Sequence, residues 1–291
     1  MPGLLGSYEH FRERFERPIV EDEDASTAAH LREALRPFIL RRSKQDVAAD
    51  LPEKIEQVVY THMEHEQRRL YDAQVQEVRN MVAQQDDRPG GGKFQILALL
   101  TRLRQICCDP SLLYEGYEER SCKTDAILTL VERAMDAGEK MLVFSQFTSY
   151  LSLISSELSK RGVAHYTITG ATPSAQRVDL VNAFNQDNTP VFLISLKAGG
   201  TGLNLTGATV VVHADPWWNA AAQNQATDRA HRIGQTREVT VYKVIASHSI
   251  EERIVELQRS KSELADAVVQ GDVNGVSLAS LTREDLENLL S

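Results

Sequence analysis

Residues 191–205 read VFLISLKAGGTGLNL, an apolar run that passes directly into a glycine-dense loop. The run Val191–Ile194 is short and is followed by turn residues, which predicts a buried strand. A glycine-dense loop at the carboxyl end of such a strand exposes backbone N–H groups, and it lets the backbone approach a phosphate closely. Lys197 adds positive charge to this loop. Taken alone, the loop is equally compatible with a plain tight turn.

Strand-length apolar runs recur through the second half of the chain and alternate with helical stretches. The other runs are Met141–Phe144, Tyr166–Ile168, Val210–Val212 and Val239–Ile245. Strands that alternate with helices at this spacing predict βαβ units with right-handed crossovers. We therefore expect an α/β fold, in which helices cover both faces of a mostly parallel sheet.

The first half of the chain is predicted to contain one strand and a pair of helices. Residues Ile55–Met63 are rich in β-branched and aromatic side chains, as is typical of a strand. Glu64–Gln85 and, approximately, Phe94–Cys108 have helical periodicity, and the glycine-rich turn between them predicts an antiparallel hairpin. A further amphipathic helix is expected near Ile250–Val269.

The composition is that of an ordinary globular protein, since 42% of the 291 residues are apolar and 25% are charged. It excludes collagen, coiled coil and wholesale disorder. No stretch reaches about 18 uninterrupted apolar residues and no secretory signal opens the chain, so we expect no membrane span and no export. The three cysteines, Cys107, Cys108 and Cys122, lack the spacing of a zinc site and indicate reduced thiols in a cytoplasmic protein.

The net charge of −9 argues at first against a nucleic-acid ligand, because a DNA-binding protein is expected to carry a basic patch. The charges are unevenly distributed, however. Residues 1–70 carry 11 basic and 14 acidic side chains, whereas residues 140–240 carry 8 basic and 6 acidic ones. The acidity therefore belongs to the flanks, and the central region remains compatible with DNA binding.

Residues 225–235, which read QATDRAHRIGQ, contain two arginines three positions apart. On a helical turn the side chains of Arg229 and Arg232 would project in the same direction, which suits the charge that develops on a transferring γ-phosphoryl group. Gln225 and Asp228 could orient them. On this motif alone, a solvated helix face is the simpler interpretation. His231 has no obvious partner in the sequence and is expected to be structural.

Two other patterns imitate phosphate- and metal-binding motifs without the context that those motifs need. Gly92-Lys93 lacks both the first glycine and the Ser/Thr of a P-loop. The acidic run Glu21–Asp24 follows no buried strand and is expected to be a solvated loop. Both tryptophans, Trp217 and Trp218, follow a predicted strand; packing against the sheet is the default expectation, and base stacking is the alternative.

Together and in this order, these segments resemble the second ATPase lobe of SWI/SNF-type DNA-dependent ATPases, within helicase superfamily two. The blocks that carry the resemblance are Lys140–Phe147, Ile168–Gly170 with Arg177 and Phe184, Ser195–Leu205, Asp215–Asn219 and Gln225–Gln235. Segments of the first half resemble the family's inter-lobe linker and helical protrusions, namely Phe11–Ile19, Arg36–Lys44, Leu51–Lys54 and Leu103–Leu113. One departure is Ala220, which stands where many relatives have proline.

The resemblance implies a RecA-like fold and four regions. Residues 1–63 would form the inter-lobe linker and the boundary of the first lobe, and residues 64–120 a helical protrusion. Residues 121–249 would form the second RecA-like lobe, and residues 250–291 a bracing helix and C-terminal tail. The P-loop and the Asp-Glu box of the family's first lobe have no counterpart in this sequence, so we expect a fragment or a truncated product.

The resemblance also implies roles for individual residues. Arg229 and Arg232 correspond to the family's arginine fingers, with Gly202, Gln225 and Asp228 beside the nucleotide. The DNA backbone would be contacted by residues at the strand ends, namely Ser145, Gln146, Thr169, Gly170, Lys197, Thr201 and Asn204. ATP and Mg²⁺ would be bound mainly by the first lobe, so this chain is expected to contain no metal ligand.

The function implied is that of one lobe of an ATP-dependent translocase or remodeller of double-stranded DNA, inactive as an ATPase without the first lobe. Its partners would be double-stranded DNA and the first lobe in cis, with RNA polymerase or repair proteins as further candidates. We expect a cytoplasmic, nucleoid-associated protein that binds no membrane. One alternative is a non-catalytic module that docks on DNA or RNA polymerase through the helical protrusion. An acidic scaffold protein is a further alternative, but this alternative does not explain the glycine-dense loop and the arginine motif.

Overall fold

The computed structural model describes residues 10, 12–16, 18, 24–35, 51–83, 93–199 and 202–268, which belong to two compact units. The smaller unit holds the described residues up to 35 together with residues 260–268, and the larger unit holds the described residues from 51 to 259. A π-helical turn, Arg12–Glu16, and a helix, α1 (Ala25–Leu35), belong to the smaller unit.

Asp24, the last residue of the acidic run, caps helix α1. Its carboxylate accepts hydrogen bonds from the Thr27 hydroxyl at 2.7 Å and from the Ser26 N–H at 2.8 Å. These hydrogen bonds lower the pKa of Asp24 to about 2. Asp24 therefore has a local structural role at a helix N-terminus, and the rest of the acidic run lies outside the described residues.

The larger unit alternates strands and helices from its first strand to its last. Its strands are β1 (Lys54–Thr61), β2 (Met141–Ser145), β3 (His165–Ile168), β4 (Val191–Ser195), β5 (Val210–His213) and β6 (Val239–Ala246). Its helices are α2 (His65–Ala83), α3 (Lys93–Cys108), α4 (Cys122–Asp136), α5 (Thr148–Lys160), α6 (Ser174–Gln186), α7 (Leu196–Gly199), α8 (Ala220–Thr227) and α9 (Ile250–Val268), which begins in this unit. Each predicted strand is present, and its ends differ from the prediction by at most two residues.

All six strands are parallel and lie in the order β1-β6-β5-β2-β4-β3. Strand β2 is central, because its Val143 lies opposite both Leu193 of β4 and Val212 of β5. The prediction of an α/β fold with a mostly parallel sheet is confirmed, and the described sheet is parallel throughout. Since parallel strands need crossover connections, the helices come to lie on its two faces.

Alternate residues of strands β2, β4, β5 and β6 enter two separate cores, one on each face of the sheet. On one face, Val143 and Leu193 pack with α4 and α5, for example with Ile127 and Ile154. On the other face, residues such as Phe144 pack with α6 and α8; this core also includes Leu142, Ile194, Val211, Val241, Phe184 and Ala226. Burial on both faces explains why the strands read as continuous apolar runs.

Helices α2 and α3 form the predicted hairpin and pack against the start of α9. Their shared core includes Val78 of α2, Leu103 of α3 and Ile254 of α9. The hairpin is antiparallel, because Gln67 near the start of α2 donates a 2.9 Å hydrogen bond to the carbonyl of Ile106 near the end of α3. No helix within the described ranges combines the length and apolar character needed to span a bilayer.

Strand β1 belongs to the sheet of the larger unit. It pairs in parallel with β6 over its full length, from Lys54 opposite Val239 to Thr61 opposite Ala246. The predicted region 1–63 therefore combines two different parts of the structure, since α1 lies in the smaller unit and β1 lies in the larger one. The strand was recognised from its composition, but its pairing with a strand some 185 residues away has no local signal.

A fully buried ion pair joins the start of α4 to the start of α9. The Lys123 ammonium donates to the two carboxylate oxygens of Glu251, at 2.8 and 2.6 Å, and to the carbonyl of Ala214 at 2.7 Å. Burial opposes the charge of Lys123, but Glu251 outweighs this effect, and the pKa of Lys123 is raised. The backbone N–H of Ala246 donates to Glu251 at 2.9 Å, so both charged groups have hydrogen-bond partners.

Changing Lys123 to Met is expected to lower the free energy of unfolding by about 3–5 kcal/mol, because Glu251 would remain buried without its counter-ion. Urea unfolding followed by circular dichroism measures this loss. The matched control is Lys160→Met, which removes an exposed ion pair with Glu157 and should leave the free energy of unfolding almost unchanged. Equal losses for the two variants would contradict the prediction.

Candidate functional site

The residues predicted to contact DNA follow strands β2, β3 and β4 in the chain. Strands β2, β3 and β4 end at Ser145, Ile168 and Ser195, and β5 ends at His213. Because the strands are parallel, these four ends share one edge. The loops that follow them form the region where ligands bind in open α/β sheets.

Ser145 lies inside this edge rather than on its surface. The side chain is fully buried, and its hydroxyl donates a hydrogen bond to Asp215 and accepts one from the Phe147 N–H at 3.0 Å. The neighbouring Gln146 N–H also donates to Asp215, at 3.2 Å. The structure therefore gives Ser145 a supporting position, in which it orients Asp215, whereas the sequence placed it among the DNA-contacting residues.

Arg104, on helix α3 of the hairpin, completes this network. Its guanidinium lies 3.5 Å from the Asp215 carboxylate, donates to the Gln146 side-chain oxygen at 2.9 Å and donates to the carbonyl of Pro216. Burial raises the pKa of Asp215, and the positive charge of Arg104 opposes this shift. No local sequence pattern indicated Arg104, because its hydrogen-bond partners lie 42 and 112 residues away.

The loop after β3 presents the two predicted DNA-contacting residues Thr169 and Gly170. Gly170 is exposed and Thr169 is half-buried. Arg177 of α6 donates hydrogen bonds to the carbonyls of Thr169, Gly170 and Thr172, at 3.3, 3.1 and 2.8 Å. These hydrogen bonds restrain the loop through its carbonyl groups. The Gly170 N–H belongs to an exposed part of the same loop.

The segment after β4 begins with a short helix rather than a loop. Residues Leu196–Gly199 form α7, from which Lys197 projects into solvent. Asn204 is exposed, and its carbonyl accepts a 2.8 Å hydrogen bond from the Asn185 side chain. Thr201 lies outside the described residues.

Gly202 begins the described part of the turn that faces the arginine motif. Its φ of +40° lies in the left-handed region, which favours glycine over residues with a Cβ. Three residues later, the Leu205 N–H donates a 2.9 Å hydrogen bond to the carbonyl of Arg229. The glycine-dense segment and the arginine motif are therefore in direct contact.

The two arginines follow the end of helix α8 rather than lying on it. The helix ends at Thr227 with Asp228 as its C-cap, and the backbone continues in tight turns, in which the Arg229 N–H donates to the carbonyl of Ala226 at 3.1 Å. Successive tight turns therefore replace the helical turn on which the two arginines were expected to lie. Gln225, also predicted beside the nucleotide, is exposed on the last turn of α8.

The electrostatics of Arg229 show that the two guanidinium groups are neighbours. Burial lowers the pKa of Arg229, the positive charge of Arg232 lowers it further, and the negative charge of Asp228 raises it. Arg229 is half-buried, whereas Arg232 is exposed. The segment after α8 therefore carries two positive charges that influence each other, which is suited to an anionic ligand.

Gln235 fixes the arginine motif against the segment that contains Gly202. Its buried side-chain NH₂ donates to the carbonyls of Thr206, Ala208 and Ala230, at 3.1, 2.9 and 3.3 Å. Its side-chain oxygen accepts from the N–H groups of Thr236 and Arg237, both at 3.0 Å. The motif match included Gln235, but no sequence pattern indicated that it connects these two loops.

The two histidines of this region have structural partners. His213 Nε2 lies 2.9 Å from the Thr227 hydroxyl, and His231 Nε2 lies 2.8 Å from the carbonyl of Pro52. The first contact connects the end of β5 to the end of α8, directly before the arginines. The second is consistent with the structural role expected for His231.

The residues of this edge fit a phosphate and offer no cage for a metal ion. Arg229, Arg232 and the backbone at Gly202 supply positive charge and close approach, which are what a triphosphate needs. Within the described ranges, no group of three or more His, Cys, Asp or Glu residues is placed to hold a metal.

The six-stranded parallel sheet with helices on both of its faces gives the larger unit a RecA-like architecture. Residues 122–234 match the family described as "Helicase conserved C-terminal domain", and residues 1–112 match the family described as "SNF2-related domain". The solved C-terminal domain of the Sulfolobus solfataricus SWI2/SNF2 ATPase is 30% identical, with a TM-score of 0.67, and the match covers 81% of this chain and 98% of that one. The chain belongs to the SWI2/SNF2 family of ATPases.

Longer relatives match nearly the whole chain. The Sulfolobus solfataricus SWI2/SNF2 ATPase core in complex with double-stranded DNA is 33% identical with a TM-score of 0.68, and the match covers 99% of this chain and 61% of that one. The putative ATP-dependent helicase/translocase YwqA of Bacillus subtilis is 38% identical over 297 residues, which cover 99% of this chain and 32% of that protein. The chain thus spans about a third of the length of this curated relative.

The burial of His213 predicts a specific pH dependence of stability. Burial, aided by the charge of Lys243, lowers the pKa of His213 to about 3, whereas an unfolded histidine titrates near pH 6.5. The unfolded chain therefore binds this proton first, and stability should fall by up to about 1.4 kcal/mol per pH unit as the pH drops from 6.5 towards 3.

Urea unfolding midpoints measured across this pH range test the contribution of His213. A His213→Asn variant should show a shallower pH dependence than the unmodified chain. The control is His62→Asn, which changes an exposed histidine and should keep the original slope. An unchanged slope in His213→Asn would refute the prediction.

Proposed function

We propose that this chain is the second ATPase lobe of a translocase or remodeller of double-stranded DNA and that it supplies arginine fingers to ATP hydrolysis. The observation that carries the proposal is the attachment of Arg229 to the glycine-dense segment through the Leu205 N–H, with Arg232 close by. This arrangement holds two positive charges beside the glycine-dense segment, and guanidinium groups are suited to an anionic phosphate.

Hydrolysis of ATP develops negative charge on the transferring γ-phosphoryl group, and guanidinium groups stabilise that charge. The half-buried Arg229 is held by backbone hydrogen bonds and by the Gln235 cluster, so it keeps a defined orientation. Arg232 is exposed and can reach a phosphate held by the opposing lobe. Gly202, Gln225 and Asp228 would line the nucleotide side of the same surface.

The first ATPase lobe would supply the phosphate-binding loop and the Mg²⁺ ligands that this sequence does not contain. Closure of the two lobes on ATP would bring Arg229 and Arg232 to the γ-phosphate, and reopening would follow hydrolysis. The chain alone is therefore proposed to be inactive as an ATPase, since it holds only the half of the site that stabilises charge.

The DNA side would use the loops after β2, β3 and β4. Gln146, Thr169, Gly170, Lys197 and Asn204 are polar or expose backbone, which suits contacts with phosphate oxygens rather than with base edges. Thr201 is proposed to belong to the same set. The structure of a related ATPase core in complex with double-stranded DNA supports DNA as the partner.

The finger assignment predicts a large loss of turnover. In a two-lobe enzyme made by joining a first ATPase lobe to this chain, Arg229→Ala and Arg232→Ala should each lower DNA-stimulated ATP hydrolysis by about 10³–10⁵-fold. The matched control is Arg237→Ala, which removes an exposed arginine from the same region and should retain activity.

Steady-state phosphate release measures these rates, with the chain alone as the baseline without hydrolysis. Wild-type turnover in Arg229→Ala would refute the finger assignment. Turnover by the chain alone that depends on Arg229 or Arg232 would refute the claim that the first lobe is required.

The DNA assignment predicts a change in the salt dependence of binding. Lys197→Ala should weaken binding to double-stranded DNA and reduce the slope of log Kd against log salt concentration by about 0.9, because one phosphate contact is lost. Fluorescence anisotropy with a labelled duplex measures both quantities. Lys160→Ala is the control, since it removes an exposed lysine at the far end of α5, and an equal slope change there would contradict the assignment.

A further inference from the structure

Arg104 occupies an unusual position for a charged residue of a surface hairpin. Helix α3 packs mainly against α2 through apolar residues such as Leu103, yet Arg104 is only 2% exposed, and its side chain contacts the loops after β2 and β5. A buried guanidinium is costly unless its charge and its N–H groups are matched. The groups that match it all belong to the loops after β2 and β5.

Hydrogen bonds, an opposite charge and two aromatic rings restrain the guanidinium of Arg104. It donates to Gln146 and to the carbonyl of Pro216, and its charge is balanced by Asp215. It also lies between two aromatic rings, 5.6 Å from the ring centre of Phe147 and 5.5 Å from that of Trp218. A planar group held by hydrogen bonds and by stacking is far more restrained than an ammonium would be.

The hydrogen bond to Gln146 sets the orientation of that amide. Because the Gln146 oxygen accepts from Arg104, the NH₂ group must lie on the opposite side of the amide. Among the described residues, this NH₂ and Arg104 Nε both lack a hydrogen-bond partner. One of these unmatched donors belongs to helix α3 and the other to the loop after β2, and such donors are suited to an acceptor brought by a ligand.

We propose that Arg104 is a positioning residue for DNA binding, which holds the Gln146 amide and the turn 215–218 in the arrangement that meets the DNA backbone. The inference rests on the proposed function, because it takes Gln146 as part of the DNA side. It adds that the helical hairpin contributes to DNA affinity through a buried side chain. A change in the packing of α3 would then alter DNA binding without any direct contact between α3 and DNA.

The test compares Arg104→Lys with Arg102→Lys in the full chain. Arg102 lies on the same helix but is exposed, so its variant controls for the loss of a guanidinium from α3. Lysine keeps the charge near Asp215 but cannot reproduce the planar hydrogen bonds or the stacking. We expect Arg104→Lys to weaken binding of a labelled duplex about 5- to 10-fold and Arg102→Lys to leave it unchanged.

A double-mutant cycle shows whether Arg104 acts through Gln146. Gln146→Ala should weaken binding by a similar factor, and the double variant should bind no more weakly than either single variant. If Arg104→Lys does not fold, the Gln146→Ala variant still tests the proposal. The proposal would be overturned if Gln146→Ala bound DNA as strongly as the unmodified chain does.

Intrinsic fluorescence supplies a readout that a purely structural role would not change. The chain has two tryptophans, both in the turn 215–218, so its tryptophan emission reports on that turn. Adding duplex DNA should change the emission of the unmodified chain and of Arg102→Lys, but not that of Arg104→Lys or Gln146→Ala. Unfolding midpoints measured in parallel identify losses of stability.

The outcomes separate this inference from the proposed function. If the unmodified chain binds no double-stranded DNA, both are overturned. If it binds DNA and Arg104→Lys binds equally well, only the positioning role is overturned. A lower unfolding midpoint for Arg104→Lys, with the DNA affinity and the fluorescence response unchanged, would also overturn the positioning role and leave Arg104 purely structural.

Discussion

The buried carboxylate of Asp215 is the constraint on which the functional edge depends. A charged group without solvent must be matched, and Asp215 is matched by the Ser145 hydroxyl, by the Gln146 N–H and by the Arg104 guanidinium. These partners come from the end of β2 and from the helical hairpin. The Asp215 carboxylate therefore joins the end of β2 and the loop after β5 to the hairpin. The loops of the proposed DNA side extend from this contact.

The arginine segment is held in place by hydrogen bonds to backbone groups rather than by opposite charges. Gln235 donates to three carbonyls and the Leu205 N–H donates to Arg229, so the glycine-dense segment and the arginine turns form one connected group. This connection keeps two mutually repelling guanidinium groups in place. A preorganised pair of charges can stabilise a transition state without first rearranging, which is the main physical advantage of such a site.

The sequence predicted the elements well and their spatial partners poorly. Apolar runs such as Val191–Ile194 are strands because both faces are buried, and that property is visible in the composition. The two motif blocks that contain Gly202 and Arg229 meet through the hydrogen bond from the Leu205 N–H to the Arg229 carbonyl. The burial of Ser145 and the role of Arg104 depend on contacts across the sheet, which no local pattern contains. Helix α8 ends before the arginines, a boundary that periodicity does not determine.

The place of β1 in the sheet has a practical consequence for how the chain can be divided. A piece that begins at the helical hairpin would lack β1 and leave all eight residues of β6 at the edge of the sheet. An open, apolar strand edge invites pairing with other copies, so such a piece should be prone to aggregate. A piece of the chain that is to remain soluble should therefore begin before the hairpin, so that it contains β1 and β1 covers the edge of β6.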